Sequence, residues 1–407
     1  MPQPTLDEWR GEVRRWLATM LEPREAAGTT GHGAADLAVF RNLPDDEERR
    51  LLDRCRAYQR ARHDAGYQAL TLPRENGGPG LTAAHAAVFA EEESAFDVPP
   101  STELISVTVR LVAMSVSLFG TPEQRETYAR AFLRTDLLAC QLFSEPGAGS
   151  DLAALRTRAR RESGGDWVID GQKVWTSGAQ FADHGLLLAR TDPDAPKRKG
   201  ISYFLLDMST PGIEVRPIRN AIGDSHFCEI FLNDVNIPAA NLIGAENAGW
   251  QVAQATLAAE RGLTMLELAE RLGNAGFRWL VEAAPVEDPI VADRLAQFET
   301  EITGLRRLCR KVVEDNEDGT ADPADASIVK LYYSELLQRL TDFGAEIGGL
   351  AAHTRLAKPM SSGWESGSWM LDFIGSWEWT IPGGSSEIQR TIIAERGLGL
   401  PREPSAV

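Results

Sequence analysis

The sequence predicts a mixed α and β protein in which helical N-terminal and C-terminal segments flank a middle antiparallel β domain. Apolar residues recur at helical spacing before about residue 138 and again from about Trp250 to the end. Between these positions the pattern alternates with a period of two residues, and turn-forming pairs separate the apolar runs. These observations divide the chain into an N-terminal α-helical domain (1–138), a middle β domain (139–243) and a C-terminal α-helical domain forming a bundle (244–407).

The N-terminal domain is predicted to begin with a helix. Thr5 and Glu8 can form a capping box, and apolar side chains follow at helical spacing as far as Met20. Further helices are predicted over 46–66 and 83–93. Another begins at Thr121-Pro122, where proline takes the first helical position. A loop rich in helix breakers, 73–80, separates the second helix from the third.

The middle domain is predicted to contain several short strands. Apolar runs on either side of Asp170-Gly171 predict a β-hairpin with an Asp-Gly turn. Further strands are predicted at 185–189, 201–206, 213–218 and 228–232. The C-terminal domain then contains predicted helices at 248–283, 288–315, 323–349, 363–378 and 384–397.

Composition excludes several classes of function. A chain of 407 residues with 43% hydrophobic and 25% charged residues is typical of a folded protein of two or three domains. The net charge of −17 argues against a nucleic-acid partner and against binding to anionic membranes. The longest apolar runs are too short for a membrane span, and 1–21 lacks a secretory signal pattern, so a cytoplasmic location is expected.

Cysteine and histidine spacing give no sign of a metal site. The four cysteines have no CxxC spacing and are interpreted as buried or free thiols in a reducing compartment. The six histidines show no HExxH or paired pattern, so no metal is expected.

The most informative segment is 141–151, which reads QLFSEPGAGSD. Glycines let the backbone approach a ligand closely, and serine hydroxyls or free N–H groups can bond a flavin edge or a pyrophosphate. A stretch of this composition is also common in surface turns. Its residue order, however, resembles the flavin-binding signature of the acyl-CoA dehydrogenase family, whose members oxidise the α–β bond of acyl-CoA thioesters with FAD.

Two further segments carry the same resemblance, which extends at the architectural level over nearly the whole chain. The first is 173–178, although a tryptophan near a strand end more often belongs to the core. The second is 383–397, in which Ser385 or Ser386 can also cap a helix. A helix N-terminus beside glycines is in addition a good anion cradle. The loop at 73–80 also resembles the family's N-terminal domain.

The resemblance implies an FAD site. Trp175 would pack on the isoalloxazine, Ser177 would bond near its N5 atom, Ser144 would bond the pyrimidine end and Ser150 the diphosphate. Family members more often have threonine where Ser144 and Ser177 stand, but serine keeps the hydroxyl. The other residues implied to bind FAD are Phe143, Gly149, Thr176, Ser385, Ser386 and Glu387.

The resemblance also implies where the catalytic base lies. Many members place a glutamate just before the terminal Gly-Thr, a position that Gly383 occupies here. In isovaleryl-type and long-chain-type members the base is the glutamate of a Glu-Arg pair on an earlier helix, which Glu260-Arg261 matches. Glu260 is therefore predicted to abstract the α proton, although a helical glutamate is commonly just solvated.

The remaining residues of the reaction follow from the same match. The Gly383 N–H would polarise the thioester carbonyl together with a flavin ribityl hydroxyl. Ser150 and Gly384 would lie on the substrate side. Arg261 is predicted to do so too, and a surface cation is an equally good interpretation of it.

The implied partners are an acyl-CoA substrate, an electron-transfer flavoprotein as acceptor, and other subunits of a homo- or hetero-oligomer, within fatty-acid or lipid metabolism. Two stretches with which family dimers commonly reach the neighbour's FAD are missing near 281–296 and 345–351. Two alternatives therefore stay open. One is a non-catalytic or half-site subunit of a heteromeric dehydrogenase, and the other is a related flavoenzyme acting on a carrier-protein thioester. The acyl group is not specified by the sequence.

Overall fold

The computed structural model describes residues 3–23, 43–99, 102–352 and 368–402, except for the side chains of 255–263, 275, 317 and 351. The predicted class, mixed α and β with a β middle and a helical C-terminal part, is confirmed. Contacts group the chain into two compact units. The helical unit comprises Met1–Asn42, Leu81–Pro100 and Arg261–Val407, and the sheet unit comprises Leu43–Gly80 and Ser101–Glu260. The division into three domains remains a prediction.

A helix lies near each predicted position, but the described residues contain more helices than predicted: those at Glu103–Ser106 and Ala113–Phe119 were not expected, and the helix predicted over 248–283 is divided. They are α1 (Leu6–Met20), α2 (Asp45–Asp64), α3 (Ala83–Glu93), α4 (Glu103–Ser106), α5 (Ala113–Phe119), α6 (Pro122–Gln124), α7 (Arg130–Leu133), α8 (Gly249–Arg271), α9 (Arg278–Ala283), α10 (Pro289–Glu317), α11 (Asp325–Ala352), α12 (Trp369–Ser376) and α13 (Ser386–Ile392). Within the described ranges, π-helical segments join or extend them at Val107–Val112, Arg125–Ala129, Leu272–Phe277 and Ile393–Gly397. The predicted capping box between Thr5 and Glu8 is confirmed. The first residues of the helix predicted over 363–378 lie outside the described part of the chain.

One sheet forms the centre of the sheet unit. Its strands are β1 (Ala139–Leu142), β2 (Arg158–Arg161), β3 (Trp167–Ser177), β4 (His184–Arg190), β5 (Ile201–Asp207), β6 (Ile213–Ile218), β7 (Phe227–Ile237) and β8 (Leu242–Ile243). They run in the order β6-β7-β3-β2-β4-β5-β8, and β1 also pairs with β4. Most pairings are antiparallel as predicted, but β1 and β2 pair with β4 in parallel, so the sheet is mixed.

The predicted hairpin at Asp170-Gly171 is wrong. A single strand, β3, runs straight through this pair, and its pairing with β7 shifts register between Ile169 and Gly171. A Cβ on Gly171 would lie 2.4 Å from Oγ1 of Thr157, so glycine allows the residue just before β2 to approach closely. Asp170 accepts a hydrogen bond from the Asp234 N–H at 3.0 Å. The pair marks a bulge in a long strand.

Both faces of the sheet are covered with apolar side chains, which gives the sheet unit its core. Alternate residues of β4 and β5 point to opposite faces. On one face Leu187 and Phe204 pack with side chains of α2 and α4. On the other face Leu186 and Tyr203 pack with side chains of α5 and α7.

The helical unit has its own core, built mainly from α10 and α11. Leu272, Leu305, Leu336 and Leu340 are completely buried there. All four cysteines of the chain are buried free thiols, in agreement with the sequence interpretation. Among the residues that the structure describes, none of the helices combines the length and apolar character needed to cross a membrane.

Candidate functional site

Two segments of the sheet unit, 143–151 and 173–178, lie side by side at the ends of β1 and β3; together they are called the sheet cradle. The N–H of Val174 donates to the carbonyl of Ser144 at 3.0 Å. A tight turn closes the first segment, with reciprocal backbone hydrogen bonds between Glu145 and Ala148 of 3.1 and 3.0 Å. The structure therefore brings together two motifs that the sequence separates by more than twenty residues.

Burial changes along the first segment of the sheet cradle. Phe143 is buried and Ser144 is half-buried, whereas Gly149 and Ser150 are exposed. The buried aromatic ring stacks edge-on against Tyr203 and anchors the start of the segment in the core. Its glycine-rich end thus presents backbone and hydroxyl groups to solvent, as binding of a polar ligand requires.

Trp175 is displayed on the surface in an unusual backbone conformation. Its φ is 62°, in the left-handed region, and its side chain is 59% exposed. The β3–β7 pairing shifts register between Lys173 and Thr176, which forms the bulge that carries it. The indole meets the Phe227 ring edge-on at 6.0 Å between centroids. A bulky residue in the left-handed region is strained, and such strain concentrates at ligand sites.

The two residues after Trp175 face different environments. Thr176 is only 2% exposed, and its buried hydroxyl has no hydrogen-bond partner among the described residues. Ser177 is half-buried and pairs with Phe227, whose ring meets the Trp175 indole. Gly178 follows at φ 65°, and a Cβ there would approach Leu104 to 3.0 Å. An aromatic face and a hydroxyl-bearing residue therefore both lie next to Phe227 at the strand end.

A buried ion pair that sequence reasoning missed holds the sheet cradle together. The Lys173 ammonium, on a side chain that is 0% exposed, donates to Oε1 of Glu145 at 2.8 Å and to the carbonyl of Phe143 at 3.0 Å. The Glu145 carboxylate also accepts the N–H groups of Thr157 at 2.9 Å and Arg156 at 2.6 Å. Only the presence of both residues inside recognised motifs could have drawn attention to them.

Both members of this pair are charged at neutral pH. Burial lowers the pKa of Lys173 to about 8, against the opposing effect of Glu145. Burial alone would raise the pKa of Glu145, but the charge of Lys173 and the hydrogen bonds to the carboxylate leave that pKa lowered.

In the helical unit, the segment 383–387 forms the N-terminal approach to α13 and is called the terminal loop. Gly383 and Gly384 have φ values of 65° and 94°. Ser385 caps α13 by accepting the Ile388 N–H at 3.4 Å. Ser386 is buried, and its hydroxyl lacks a partner among the described residues. Glu387 is exposed, and backbone and Ser385 hydrogen bonds at the helix N-terminus lower its pKa.

Side chains from the body of the helical unit fix the carbonyl groups of the terminal loop. The amide of Gln389 donates to the carbonyls of Gly383 at 2.7 Å and Gly384 at 3.2 Å. The buried ammonium of Lys330 donates to the Gly384 carbonyl at 2.8 Å. A Cβ on Gly384 would lie 2.7 Å from Nε2 of Gln389, whereas one on Gly383 would have no described residue within 4 Å. The predicted helix cap is confirmed, and a side chain at position 383 would not clash with the described part of the chain.

The side chains of Glu260 and Arg261 lie outside the described residues, but their helix is described. α8 starts against β5, where a Cβ on Gly249 would lie 2.5 Å from the backbone of Ser202. Glu260 stands eleven residues further on, about 16 Å along the helix axis at the usual rise per residue. Its role as base remains a prediction.

The two stretches that depart from the family pattern adopt regular local structure. α9 ends at Ala283, and Asp288 caps α10 by accepting the Ile290 N–H at 2.8 Å. Gly349, in the second stretch, has φ 51° and ψ −139° and interrupts α11. Both stretches therefore adopt defined local structures in place of the motifs that family dimers use.

Three family models match successive parts of the chain. The acyl-CoA dehydrogenase N-terminal domain matches residues 3–136, the middle domain 140–235 and the C-terminal domain 247–398. The chain belongs to the acyl-CoA dehydrogenase family.

Similar proteins include two acyl-CoA dehydrogenases of Mycobacterium tuberculosis. FadE34 is 40% identical over 96% of this chain, which spans only about half (51%) of that relative. IpdE1 is 35% identical over 98% of both chains. Among solved structures, the chain is similar to the steroid ACAD Tcur3481-Tcur3483, with a TM-score of 0.78, 29% identity and 99% coverage of both chains. It is also similar to a chain of the ChsE4-ChsE5 complex from M. tuberculosis, with a TM-score of 0.70, 27% identity and the same coverage.

Proposed function

We propose that this protein catalyses FAD-dependent α,β-dehydrogenation of an acyl-CoA thioester, with Glu260 as the base. The observation that carries the proposal is Trp175, held outward at φ 62° beside Ser144 and Ser177, within residues that match the family's middle domain. Trp175 adopts a strained backbone conformation that exposes the face of its aromatic ring. A planar ring system can pack against such a face.

The sheet cradle and the terminal loop fit FAD in their donor chemistry. Trp175 would pack against the ring, Ser177 and Ser144 would bond its polar edge, and Thr176 would contribute its backbone, since its side chain is buried. Gly149 and Ser150 would hold the diphosphate, and Phe143 would anchor the segment. In the terminal loop the hydroxyl of Ser385 and the carboxylate of Glu387 would add contacts, and Ser386, whose side chain is buried, would contribute its backbone. Bound FAD would supply the hydride acceptor at its N5 atom.

The chain's own part in the chemistry is proton removal and polarisation of the thioester. Glu260 would take the α proton, and the Gly383 N–H would bond the thioester carbonyl as negative charge develops on it. None of the described residues lies within 4 Å of where a Cβ on Gly383 would be, so none of them would block a ligand carbonyl on that side. Arg261, Gly384 and Ser150 would contact the rest of the substrate.

The substrate is proposed to be a CoA thioester with a bulky, polycyclic acyl group. This choice follows the similarity to a solved steroid ACAD over 99% of the chain. A panel of straight-chain, branched and steroid-side-chain CoA thioesters, together with a carrier-protein thioester, would be scored by anaerobic reduction of the bound flavin. Preference for straight short chains, or for the carrier-bound form, would contradict it.

An electron-transfer flavoprotein is the proposed acceptor, and the protein is proposed to work as a homo- or hetero-oligomer in the cytoplasm. The heteromeric form is favoured because the neighbour-reaching stretches are replaced by the Asp288 cap and the Gly349 break. One similar structure is also a complex of two named chains. A half-site or non-catalytic subunit is the second candidate. A colourless, poorly soluble product on expression alone would favour it, whereas a flavin absorbance spectrum would count against it.

Replacement of the proposed base tests the reaction directly. Glu260→Gln should keep the yellow colour and lose thioester-dependent bleaching by at least about a hundredfold, the usual contribution of a general base. The matched control is Glu299→Gln, which changes an exposed helical glutamate on α10 and should bleach normally. Equal bleaching rates in the two variants would remove Glu260 from the mechanism.

A further inference from the structure

The Lys173–Glu145 ion pair joins the two motifs of the sheet cradle across 28 residues of sequence. Glu145 lies in the turn after β1, and Lys173 lies on β3 where the bulge begins. Both side chains are buried, at 0% exposure for Lys173 and 8% for Glu145. Water therefore cannot replace either partner, and loss of one leaves the other charge without compensation.

The hydrogen bonds of the pair are made to the residues on either side of Ser144. The Lys173 ammonium bonds the carbonyl of Phe143, just before Ser144, and the carboxylate of Glu145, just after it. The carbonyl of Ser144 itself accepts the Val174 N–H. The half-buried serine is thus held from both sides and from its own backbone, while its hydroxyl is not used by any of these bonds.

Lys173 also lies at the start of the bulge that carries the strained tryptophan. Lys173 is the last residue in register with β7 before the shift, and Trp175 follows two residues later. On the other side, the Glu145 carboxylate bonds the N–H groups of Arg156 and Thr157, which precede β2. The pair therefore ties three pieces of chain to one point below the surface that carries Ser144, Trp175 and Ser177.

We infer that Lys173 and Glu145 are positioning residues, which set the distance between Ser144 and Trp175 and thereby the affinity and electronic environment of the bound flavin. Neither residue touches the reacting atoms. This inference rests on the proposed function for the identity of the ligand, and on the described contacts for the mechanism of positioning.

The test separates positioning from stability. Lys173→Met and Glu145→Gln each leave an unbalanced buried group, whereas the double variant removes both charges and should recover much of the lost thermal stability. The double variant still lacks the ammonium that bonds the Phe143 carbonyl and residue 145. FAD affinity, measured by fluorescence titration of the apoprotein, should therefore stay at least about tenfold weaker than in the wild type. The visible absorption and circular dichroism bands of the bound flavin should also shift.

The matched control is Glu92→Gln in the helical unit. Glu92 is another buried carboxylate, bonded to Arg10 and Arg14 at 2.6 Å each, but it lies outside the sheet cradle. Its loss should lower thermal stability and leave the flavin spectrum and affinity unchanged.

A double variant that recovers its melting temperature and binds FAD within about twofold of the wild type would overturn the inference, because the pair would then serve stability alone. If the Lys173 variants do not fold, Glu145→Gln decides, since it keeps the size and one acceptor oxygen; unchanged affinity and spectrum there would overturn it equally. Wild-type protein that binds FAD but oxidises no thioester would refute the proposed function and leave the positioning test intact.

Discussion

The sheet cradle and the terminal loop both carry family motifs, yet different forces hold them in shape. The sheet cradle depends on a buried ion pair and a β-bulge that displays Trp175. The terminal loop depends on two glycines with positive φ and a serine cap at the surface of the helical unit. Buried charges stabilise the sheet cradle, whereas backbone conformation and a helix cap stabilise the terminal loop. Comparable substitutions should therefore lower the stability of the protein more in the sheet cradle than in the terminal loop.

The largest effect is expected at the strand that carries the sheet cradle. In Gly171→Val the new Cβ would lie 2.4 Å from Oγ1 and 2.7 Å from Cα of Thr157, so backbone must move. Overpacking of this kind should destabilise the protein by about 3 kcal/mol. Chemical denaturation gives the value. Gly147→Ala is the matched control, because it lies in the sheet cradle and no residue that the structure describes comes within 4 Å of the new Cβ; a similar loss there would contradict the packing argument.

Gly171 also shows what the sequence could and could not predict. Periodicity predicted the α–β–α order, because burial of one helix face or one sheet face leaves a local pattern. The Asp-Gly pair predicted a hairpin because turn preference is local, whereas the true reason for the glycine is contact with Thr157, which sequence does not show. The Lys173–Glu145 pair was missed for the same reason, since burial of a charge depends on tertiary packing. Resemblance to the family motif identified Trp175, but its strained backbone conformation is visible only in the three-dimensional structure.

Glu145 in the sheet cradle and Glu387 in the terminal loop should differ in how much they contribute to stability as pH falls. Both carboxyl pKa values are lowered in the folded state, so each contributes stability that is present above pH 4.5, the unfolded value. That stability is lost as pH falls through 4.5 toward the folded pKa. The loss should be larger for Glu145 than for Glu387, because Glu145 is buried and Glu387 is exposed.

Melting temperatures at pH 7 and pH 4, at low and high salt, would check this difference. Glu387→Gln should change the acid limb only slightly, and the change should vanish in high salt because Glu387 is exposed. The Glu145→Gln/Lys173→Met variant should flatten the acid limb at both salt concentrations. An acid limb that is the same in all three proteins would show that neither carboxylate drives it.

A smaller effect is expected at Gly383. In Gly383→Ala the new Cβ has no neighbour within 4 Å in the described ranges, and the left-handed backbone at φ 65° is what resists the change. The expected loss is about 1–2 kcal/mol, the cost of that conformation for an L-residue. Gly383→Asn is the control, because asparagine tolerates this region and should cost less. Equal losses of stability in the two variants would show that steric contact, and not backbone strain, is the cause.

The smallest effect is expected at the cap of α13. Ser385→Ala removes the oxygen that accepts the Ile388 N–H, at a long 3.4 Å, so the loss should be about 0.5–1 kcal/mol, the lower part of the range for N-caps. Ser385→Asp restores a capping oxygen and a favourable charge at the helix N-terminus, and should recover the loss. A FAD titration of the same variants sharpens the comparison with the sheet cradle. If Ser385→Ala weakens FAD binding while Ser385→Asp restores stability but not affinity, the serine hydroxyl acts on the ligand as well as on the helix. If stability and affinity change together in both variants, capping alone accounts for the role of Ser385.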